Sequence, residues 1–282
     1  MEPLGIIAGN GEFPLVLARS ARQQGIARLV AAAFDGETKS EVGNVVDEIE
    51  WVKLGQLNKL IEVFTARGVK RVVMAGGITP SNLFKNLRLD WRMTTVALRL
   101  KERNAETIFG AIATEMAKDG VELIDPRPFL GDSVPQPGVL TRRALSKEQQ
   151  DDVEFGLKIA KAVSALDIGQ TVVVKKGTVL AVEGFEGTDE CIRRGGALAG
   201  EDGGAVVVKV SKPNHDFRFD IPCVGKNTIQ SCQAGQISVM AMEAGRSLLL
   251  GKDRILTAAN EAGICLVAVH REDDSPRWVA SD

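Results

Sequence analysis

The sequence predicts an α/β protein of two domains: an N-terminal domain built on a parallel sheet with crossover helices, and a C-terminal domain of mixed α/β structure. Three observations carry that expectation. Short apolar runs alternate with helix-length amphipathic stretches through the first half, the pattern of strands crossed over by helices. Four of the ten prolines, Pro126, Pro128, Pro135 and Pro137, crowd between residues 125 and 138, where a domain boundary is expected. The 282 residues also exceed what one core ordinarily holds, ~100–150. The expected division is residues 1–130, a linker and connecting helix over 131–164, and a catalytic domain over 165–282.

Residues 4–8, Leu-Gly-Ile-Ile-Ala, read as a buried strand. Gly9-Asn10-Gly11-Glu12-Phe13 then turns into a helix opened by Pro14, because the first helical turn has no use for the missing N–H. Leu15, Leu17, Ala18 and Ala21 supply its apolar face as far as Gly25. A strand, a glycine loop and a helix N-terminus in that order suit a phosphate; the competing reading is a tight turn with no ligand. The spacing is not the dinucleotide pattern, although Asp35 follows the next strand, residues 28–34. Residues 49–54 and 71–75 are further strands around a helix over 56–67, and Gly76-Gly77 closes the last of them. Strand ends of such sheets face one crevice, which makes Gly77 and Thr79 candidate ligand contacts. Beyond Pro80, residues 83–103 set Lys85, Arg88, Arg92, Arg99, Lys101 and Arg103 against Asp90 and Glu102 among apolar residues. That segment reads either as a solvated helix face or as a surface for an anionic membrane. A helix capped by Asn104 and a short strand over 121–124 complete the first half.

In the second half, residues 145–165 return to helical periodicity, with Ser146 and Gln149 at capping-box spacing. Residues 171–175 and 179–183 form a hairpin around Lys176-Gly177, and 191–194 read as helical. Residues 237–243 and 247–250 are expected to pair around Ala244-Gly245-Arg246, followed by a helix over 254–262 and a last strand over 264–269.

Composition narrows the function. A formal charge of −2 argues against a nucleic-acid binder that relies on a broad basic field. Cys191, Cys223, Cys232 and Cys265 stand singly without a C-x-x-C pair, and two histidines cannot build a His-rich metal site. No secretory leader and no membrane-spanning run are expected, so the protein reads as cytoplasmic.

Chemistry concentrates in two stretches. Val206-Val-Val-Lys-Val runs into a polar loop, where Lys212, His215, Asp216, Arg218 and Asp220 lie between Pro213 and Pro222. Two prolines keep that loop extended, and charges of both signs at a strand end suit an anionic substrate and its metal; mutual pairing in solvent is the competing reading. Upstream, Glu183, Glu186, Asp189 and Glu190 place four carboxylates in eight residues, a composition found in solvent or around a hard cation.

Taken together, Leu4-Gly-Ile-Ile-Ala-Gly-Asn-Gly-Glu-Phe-Pro14, Asp167-Ile-Gly-Gln170, Ala181-Val-Glu183 with Glu186-Gly-Thr-Asp189, Lys212-Pro213 with Asp216-x-Arg218-x-Asp220-x-Pro222, and Glu243-Ala-Gly245 resemble the UDP-2,3-diacylglucosamine pyrophosphatases of the LpxI type. The resemblance runs from the first strand to the last. It implies a Mg²⁺-dependent enzyme of lipid A synthesis with a Rossmann-like N-terminal domain, a ligand held between domains, and a homodimer. Its glycolipid nucleotide substrate would be cleaved to UMP and 2,3-diacylglucosamine 1-phosphate; a diacylated substrate together with the basic segment over 83–103 leads us to expect peripheral contact at the cytoplasmic face of the inner membrane. By position, Phe13 and Pro14 match the family's first ligand loop, Thr79 its second, Thr188 lies in the acidic motif, and Asp220 matches the catalytic aspartate. His215 stands where glutamine is expected and Cys223 where threonine is usual.

The residue types agree with such a reaction, which needs phosphoryl charge neutralised and a water aimed in line. Glu183, Asp189 and Asp220 are the expected metal ligands and catalytic carboxylates, with ligand and base not distinguished among them. Lys212 and Arg218 are the expected phosphate-neutralising cations. Two other readings compete: a nucleotide-sugar oxidoreductase, which the missing G-x-G-x-x-G and the absence of Tyr disfavour, and a non-catalytic glycolipid carrier, which would leave the carboxylates idle.

Overall fold

A computed structural model describes residues 2–79, 89–100, 105–272 and 275–277. The chain divides into two compact units, Met1–Gly131 with Asp216–Asp220, and Asp132–His215 with Ile221–Asp282.

The first unit is a five-stranded parallel sheet. Its elements are β1 (Leu4–Ala8), α1 (Phe13–Gln23), β2 (Leu29–Phe34), β3 (Glu48–Val52), α2 (Leu57–Thr65), β4 (Arg71–Ala75), α3 (Trp91–Arg99), α4 (Ala105–Ala117) and β5 (Glu122–Leu123). The strand order is β3-β2-β1-β4-β5, with every neighbouring pair parallel. β1 and β2 are buried at every residue, as strands covered on both faces must be, and their sequences are accordingly continuous apolar runs. Gly5 lets the sheet meet α2 closely, since a Cβ there would lie 2.4 Å from Val72 and 2.8 Å from the Phe64 ring. Asp90 caps α3 by accepting from Met93 N at 2.8 Å, and its other oxygen takes Asn58 N at 2.6 Å. Residues 80–88 and 101–104 lie outside the described residues, so the basic segment over 83–103 is seen only as α3 and its immediate flanks.

The segment 216–220 belongs to this unit by aromatic packing. Phe219 stacks on Phe109 with ring centroids 6.1 Å apart and packs against the core of the unit. Phe217 is buried, with the Arg127 guanidinium 3.7 Å over its ring. Burying one such side chain contributes about 1.5–3 kcal/mol, which favours packing of the segment on this unit.

The second unit contains β6 (Gly138–Val139), α5 (Lys147–Ala165), β7 (Thr171–Lys175), β8 (Thr178–Val182), α6 (Thr188–Leu198), β9 (Val206–Lys209), β10 (Cys223–Val224), α7 (Lys226–Ala234), β11 (Val239–Glu243), β12 (Leu248–Leu249), α8 (Lys252–Glu261), β13 (Cys265–Glu272) and β14 (Ser275–Arg277). Its main sheet runs β14-β13-β11-β9-β7-β8, with β6 also pairing β13. β9, β11 and β13 are parallel, β7 opposes β9, and β8 opposes β7. The carboxyl ends of β8, β9, β11 and β13 and the amino end of β7 therefore share one edge. Gly156 and Gly195 let α5 and α6 sit close against the sheet, where a Cβ would lie 2.6 Å from Val208 and 2.5 Å from Val173 respectively.

The expected capping box at Ser146 and Gln149 is present in full. So is the hairpin at Lys176-Gly177, whose φ values of 49° and 69° are the paired positive angles of a two-residue turn. Asp152 of α5 accepts from both turn N–H groups, at 2.8 and 2.7 Å. One expectation is corrected. Residues 247–250 do not pair with 237–243, because β11 lies inside the sheet with both edges taken by β9 and β13, and β12 instead pairs in parallel with β10. α7 was not anticipated.

Candidate active site

In the first unit the strand order reverses between β1 and β4, the place at which open parallel sheets hold ligands. Gly77 and Thr79 follow β4 there, and Phe13 and Pro14 open α1 just past β1. The two loops touch through backbone: Gly9 N donates to Ala75 O and Asn10 N to Gly77 O, both at 2.8 Å. A Cβ on Gly9 would stand 2.3 Å from Gly77 O, and one on Gly76, at φ 84°, 2.2 Å from Asn10 O. These glycines thus serve loop contact. Glu37, 7% exposed beyond the end of β2, joins both loops by accepting from Asn10 Nδ2 at 3.1 Å, Thr79 N at 3.0 Å and Thr79 Oγ1 at 2.9 Å. Phe13 and Pro14 are buried in the apolar face of α1.

Arg218 and Asp220 also belong to this unit. Arg218 is engaged with Asp216 two residues earlier, through Nε to Oδ1 at 2.9 Å and NH2 to Oδ2 at 2.6 Å, and that hydrogen bonding raises the Arg218 pKa. Its guanidinium also lies 5.0 Å over Phe219. Asp220 is exposed.

In the second unit Glu183 sits at the shared strand edge just past β8, and it is 7% exposed. Its Oε2 accepts from Gln170 N at 3.2 Å and its Oε1 from Thr188 Oγ1 at 2.8 Å. Gly169 passes so near that a Cβ would be 2.1 Å from Glu183 O. Lys209, at the end of β9 and also 7% exposed, donates to Thr188 Oγ1 at 2.8 Å. Asp189 lies in the first turn of α6, and its Oδ1 is buried without a hydrogen-bond partner among the described residues. Glu186 is held away from this group by Arg194 at 2.5 Å, which keeps its carboxyl below the usual glutamate range. Lys212 pairs with Asp167 at 3.1 Å.

A second buried network lies along the same edge. Glu243 ends β11 at 3% exposure, and its Oε1 pairs with Lys161 Nζ at 2.5 Å. Its Oε2 accepts from Ser211 N at 2.6 Å and Ser211 Oγ at 2.8 Å. Arg246 Nε donates to that same hydroxyl at 2.8 Å, and Lys161 donates to Ser211 O at 2.7 Å. Ser211, gripped at its N–H, hydroxyl and carbonyl, anchors the chain where the polar loop begins.

Of the expected residues, then, Glu183 and Thr188 are in direct contact in the second unit, and Gly77 and Thr79 lie together in the first. Asn10, Glu37, Lys209, Ser211, Lys161 and Arg246 were missed. The signal for Lys209 was present, since a charge inside Val-Val-Val-Lys-Val is expensive to bury unless it has a partner. Burial pushes the Cys191 and Cys232 thiols up to about 12, leaving both as packing residues. Among the described residues no group of three or more His, Cys, Asp or Glu side chains is arranged to hold a metal ion.

Comparison with known proteins gives two family matches, the LpxI N-terminal domain over residues 3–133 and the LpxI C-terminal domain over residues 136–267. The UDP-2,3-diacylglucosamine pyrophosphatase LpxI of Caulobacter vibrioides is 28% identical, over 97% of this chain and 99% of that protein. Among solved structures, the biotin carboxylase subunit of pyruvate carboxylase aligns at 16% identity and a TM-score of 0.27, covering 66% of this chain and 36% of its own. N5-carboxyaminoimidazole ribonucleotide synthetase from Thermotoga maritima aligns at 14% identity and 0.23, covering 66% and 42%. The chain spans well under half the length of these two, and likenesses this slight bear on neither fold nor function.

Proposed function

The chain belongs to the LpxI family, and on that premise we propose that it hydrolyses the pyrophosphate bond of UDP-2,3-diacylglucosamine to UMP and 2,3-diacylglucosamine 1-phosphate, a step of lipid A biosynthesis. The observation that carries the reading is the end-to-end match to a relative of that name, across both units of the chain. The site chemistry supports it: buried carboxylates, lysines and a helix N-terminus gather at one strand edge of the second unit, and the strand order of the first unit reverses between β1 and β4, the kind of place at which open parallel sheets hold ligands.

The donor set also fits Mg²⁺, because the buried, unpartnered Oδ1 of Asp189 is a hard oxygen suited to such an ion, and Mg²⁺ needs only one or two carboxylates besides water. Asp189 and Glu183 of the second unit would hold it, and Asp220 is proposed as a catalytic carboxylate on the family resemblance alone. The ion would neutralise charge building on the phosphoryl oxygens. Glu183 is held in one rotamer by Gln170 N and Thr188, and so presents its remaining lone pairs in a fixed direction. Lys212 would neutralise phosphate by exchanging Asp167, its exposed partner, for substrate. Arg218 would have to do the same with Asp216, at greater cost, since that pair is bidentate.

Water is proposed to attack the β-phosphorus, so that UMP leaves. Hydrolysis in ¹⁸O-labelled water followed by mass spectrometry tests this: label belongs in 2,3-diacylglucosamine 1-phosphate, and label in UMP would overturn it. Asp220→Ala is expected to abolish turnover while substrate binding stays within roughly tenfold, ~1.4 kcal/mol; retention of a tenth of the wild-type rate would sink the catalytic role. A diacylated substrate also motivates peripheral membrane contact through residues 83–103, of which α3 exposes Trp91 and Leu98 at 66% and 81%. Sedimentation with anionic vesicles should be weakened by changing Arg88, Arg92 and Arg99 together to Glu and by salt, and equal binding by that variant, or none by the wild type, would overturn it. The homodimer is proposed on the family resemblance, and light scattering would test it.

A further inference from the structure

The hydrogen bonds around Thr188 can be assigned a direction from valence alone. A lysine ammonium only donates, so Lys209 Nζ must give a proton to Thr188 Oγ1 at 2.8 Å. The ionised carboxylate of Glu183 only accepts, so the single hydroxyl proton of Thr188 must go to Glu183 Oε1, also at 2.8 Å. The contact of 3.4 Å between Thr188 Oγ1 and Thr171 Oγ1 is then donated by Thr171, into the second lone pair of Thr188. The hydroxyl's one proton and both lone pairs are committed inside the protein.

Lys209 itself calls for an explanation. It stands at the end of a strand whose preceding residues are all valine, and it is 7% exposed beside valines at 0%. Among the described residues its acceptor is a hydroxyl and not a carboxylate. A buried ammonium so placed is costly on its own, and the charge that answers it is Glu183, one hydroxyl away.

We propose that Lys209 is a positioning residue that acts on Glu183 through the Thr188 hydroxyl, fixing that hydroxyl as a donor to the carboxylate and withdrawing it from contact with substrate. Thr188 keeps its place in the site through this relay; any substrate contact it makes is through its backbone at the α6 N-terminus. Charge-assisted links at both ends make the relay stiffer than a hydroxyl–carboxylate bond alone. The activity consequences rest on the pyrophosphatase reading above, and the geometry does not.

The test uses full-length protein and two readouts. The first is the ¹H–¹⁵N spectrum of lysine side chains, in which the Lys209 ammonium should be visible through slow exchange, and should shift or vanish in Thr188→Val while persisting in Thr188→Ser. The second is steady-state hydrolysis of UDP-2,3-diacylglucosamine. Thr188→Val and Lys209→Met should each lower kcat about tenfold or more with KM changed less than about threefold, and Thr188→Ser should recover most of the loss. The double variant should be no worse than about twofold below either single one, because both break the same relay. A raised KM at unchanged kcat in Thr188→Val would make the hydroxyl a direct substrate ligand and overturn the proposal. So would a Lys209 signal unmoved by Thr188→Val. If Lys209→Met fails to fold, the valine and serine variants decide alone. If the wild type hydrolyses nothing, the pyrophosphatase reading falls while the lysine spectrum still judges the relay.

Discussion

At the strand ends of the first unit a buried carboxylate, Glu37, is held by neutral donors from two loops, whereas in the second unit Glu183 and Glu243 are each tied to a lysine, one through a hydroxyl and one directly. The first arrangement is a clamp. It binds the loop after β1 to the loop after β4, and the glycine backbones that meet there leave little room for either loop to move. The second arrangement balances charge inside a sheet edge, and it fixes side chains and the start of a polar loop. The same buried acid therefore does different work in the two units, and removing it should have different consequences.

Loss of a buried ion pair is the largest effect expected. Glu243→Ala would leave Lys161 facing Ser211 without its carboxylate, and breaking such a pair costs about 3–5 kcal/mol. Glu37→Ala would strand the Asn10 amide and the Thr79 N–H and hydroxyl, neutral donors whose loss costs about 1–3 kcal/mol. Denaturation midpoints of the two variants measure the difference. Equal losses would mean that the Lys161 pairing adds nothing beyond ordinary hydrogen bonding, and the contrast between the edges would collapse.

A smaller effect separates the loops from the side chains. Gly9→Ala and Gly169→Ala each force a Cβ against a carbonyl oxygen, of Gly77 at 2.3 Å and Glu183 at 2.1 Å, and overpacking of this kind costs about 1–3 kcal/mol. Hydrogen exchange read by mass spectrometry should show faster exchange around β1 and β4 in the first variant and around β7 and β8 in the second. If either variant loosened both regions alike, the local reading of these contacts would be lost.

Much of the scaffold was legible because it is written in short-range terms. Residues 4–8, 71–75 and 171–175 are strands with the expected ends, each a largely apolar run containing adjacent β-branched residues and closed by glycine, lysine or a turn. Ser146 and Gln149 announce α5 by spacing alone. α7 escaped notice because Lys-Asn-Thr-Ile-Gln-Ser-Cys-Gln-Ala buries Thr228, Ile229, Ser231 and Cys232, a face too polar to register as an apolar stripe. The partner of β12 lies 25 residues upstream, Cys223 against Leu248, and nothing local specifies it. Membership of residues 216–220 in the first unit depends on Phe217 and Phe219 meeting Arg127 and Phe109, contacts across roughly a hundred residues that no pattern in the loop encodes. The carboxylates of the candidate site were visible as a cluster. Their partners were not, because a lysine in a valine strand shows that something must answer its charge without showing what.

The smallest effect concerns exposed acids, and it sharpens the contrast by removing burial from it. In the first unit Glu48 of β3 lies between two arginines, Arg28 at 2.6 Å and Arg67 at 3.0 Å, and the hydrogen bond from Arg28 holds its carboxyl below the usual range. In the second unit Glu186 has one, Arg194 at 2.5 Å, with the same direction of shift. A carboxyl whose pKa is depressed by folding adds stability that is present above its unfolded value, about 4.3, and is lost as pH falls through the folded value. Both pairs should therefore be silent near neutrality and weaken only in acid. Replacing Glu48 or Glu186 by Gln should leave the acid limb of the urea midpoint less steep, more so for Glu48 because two cations oppose its protonation. Such exposed pairs are screened by salt, so the difference should shrink as ionic strength rises. A change in the slope above pH 6 for either variant would require a titrating group other than these carboxyls, and an equal acid limb in wild type and both variants would show that neither pair is formed in solution.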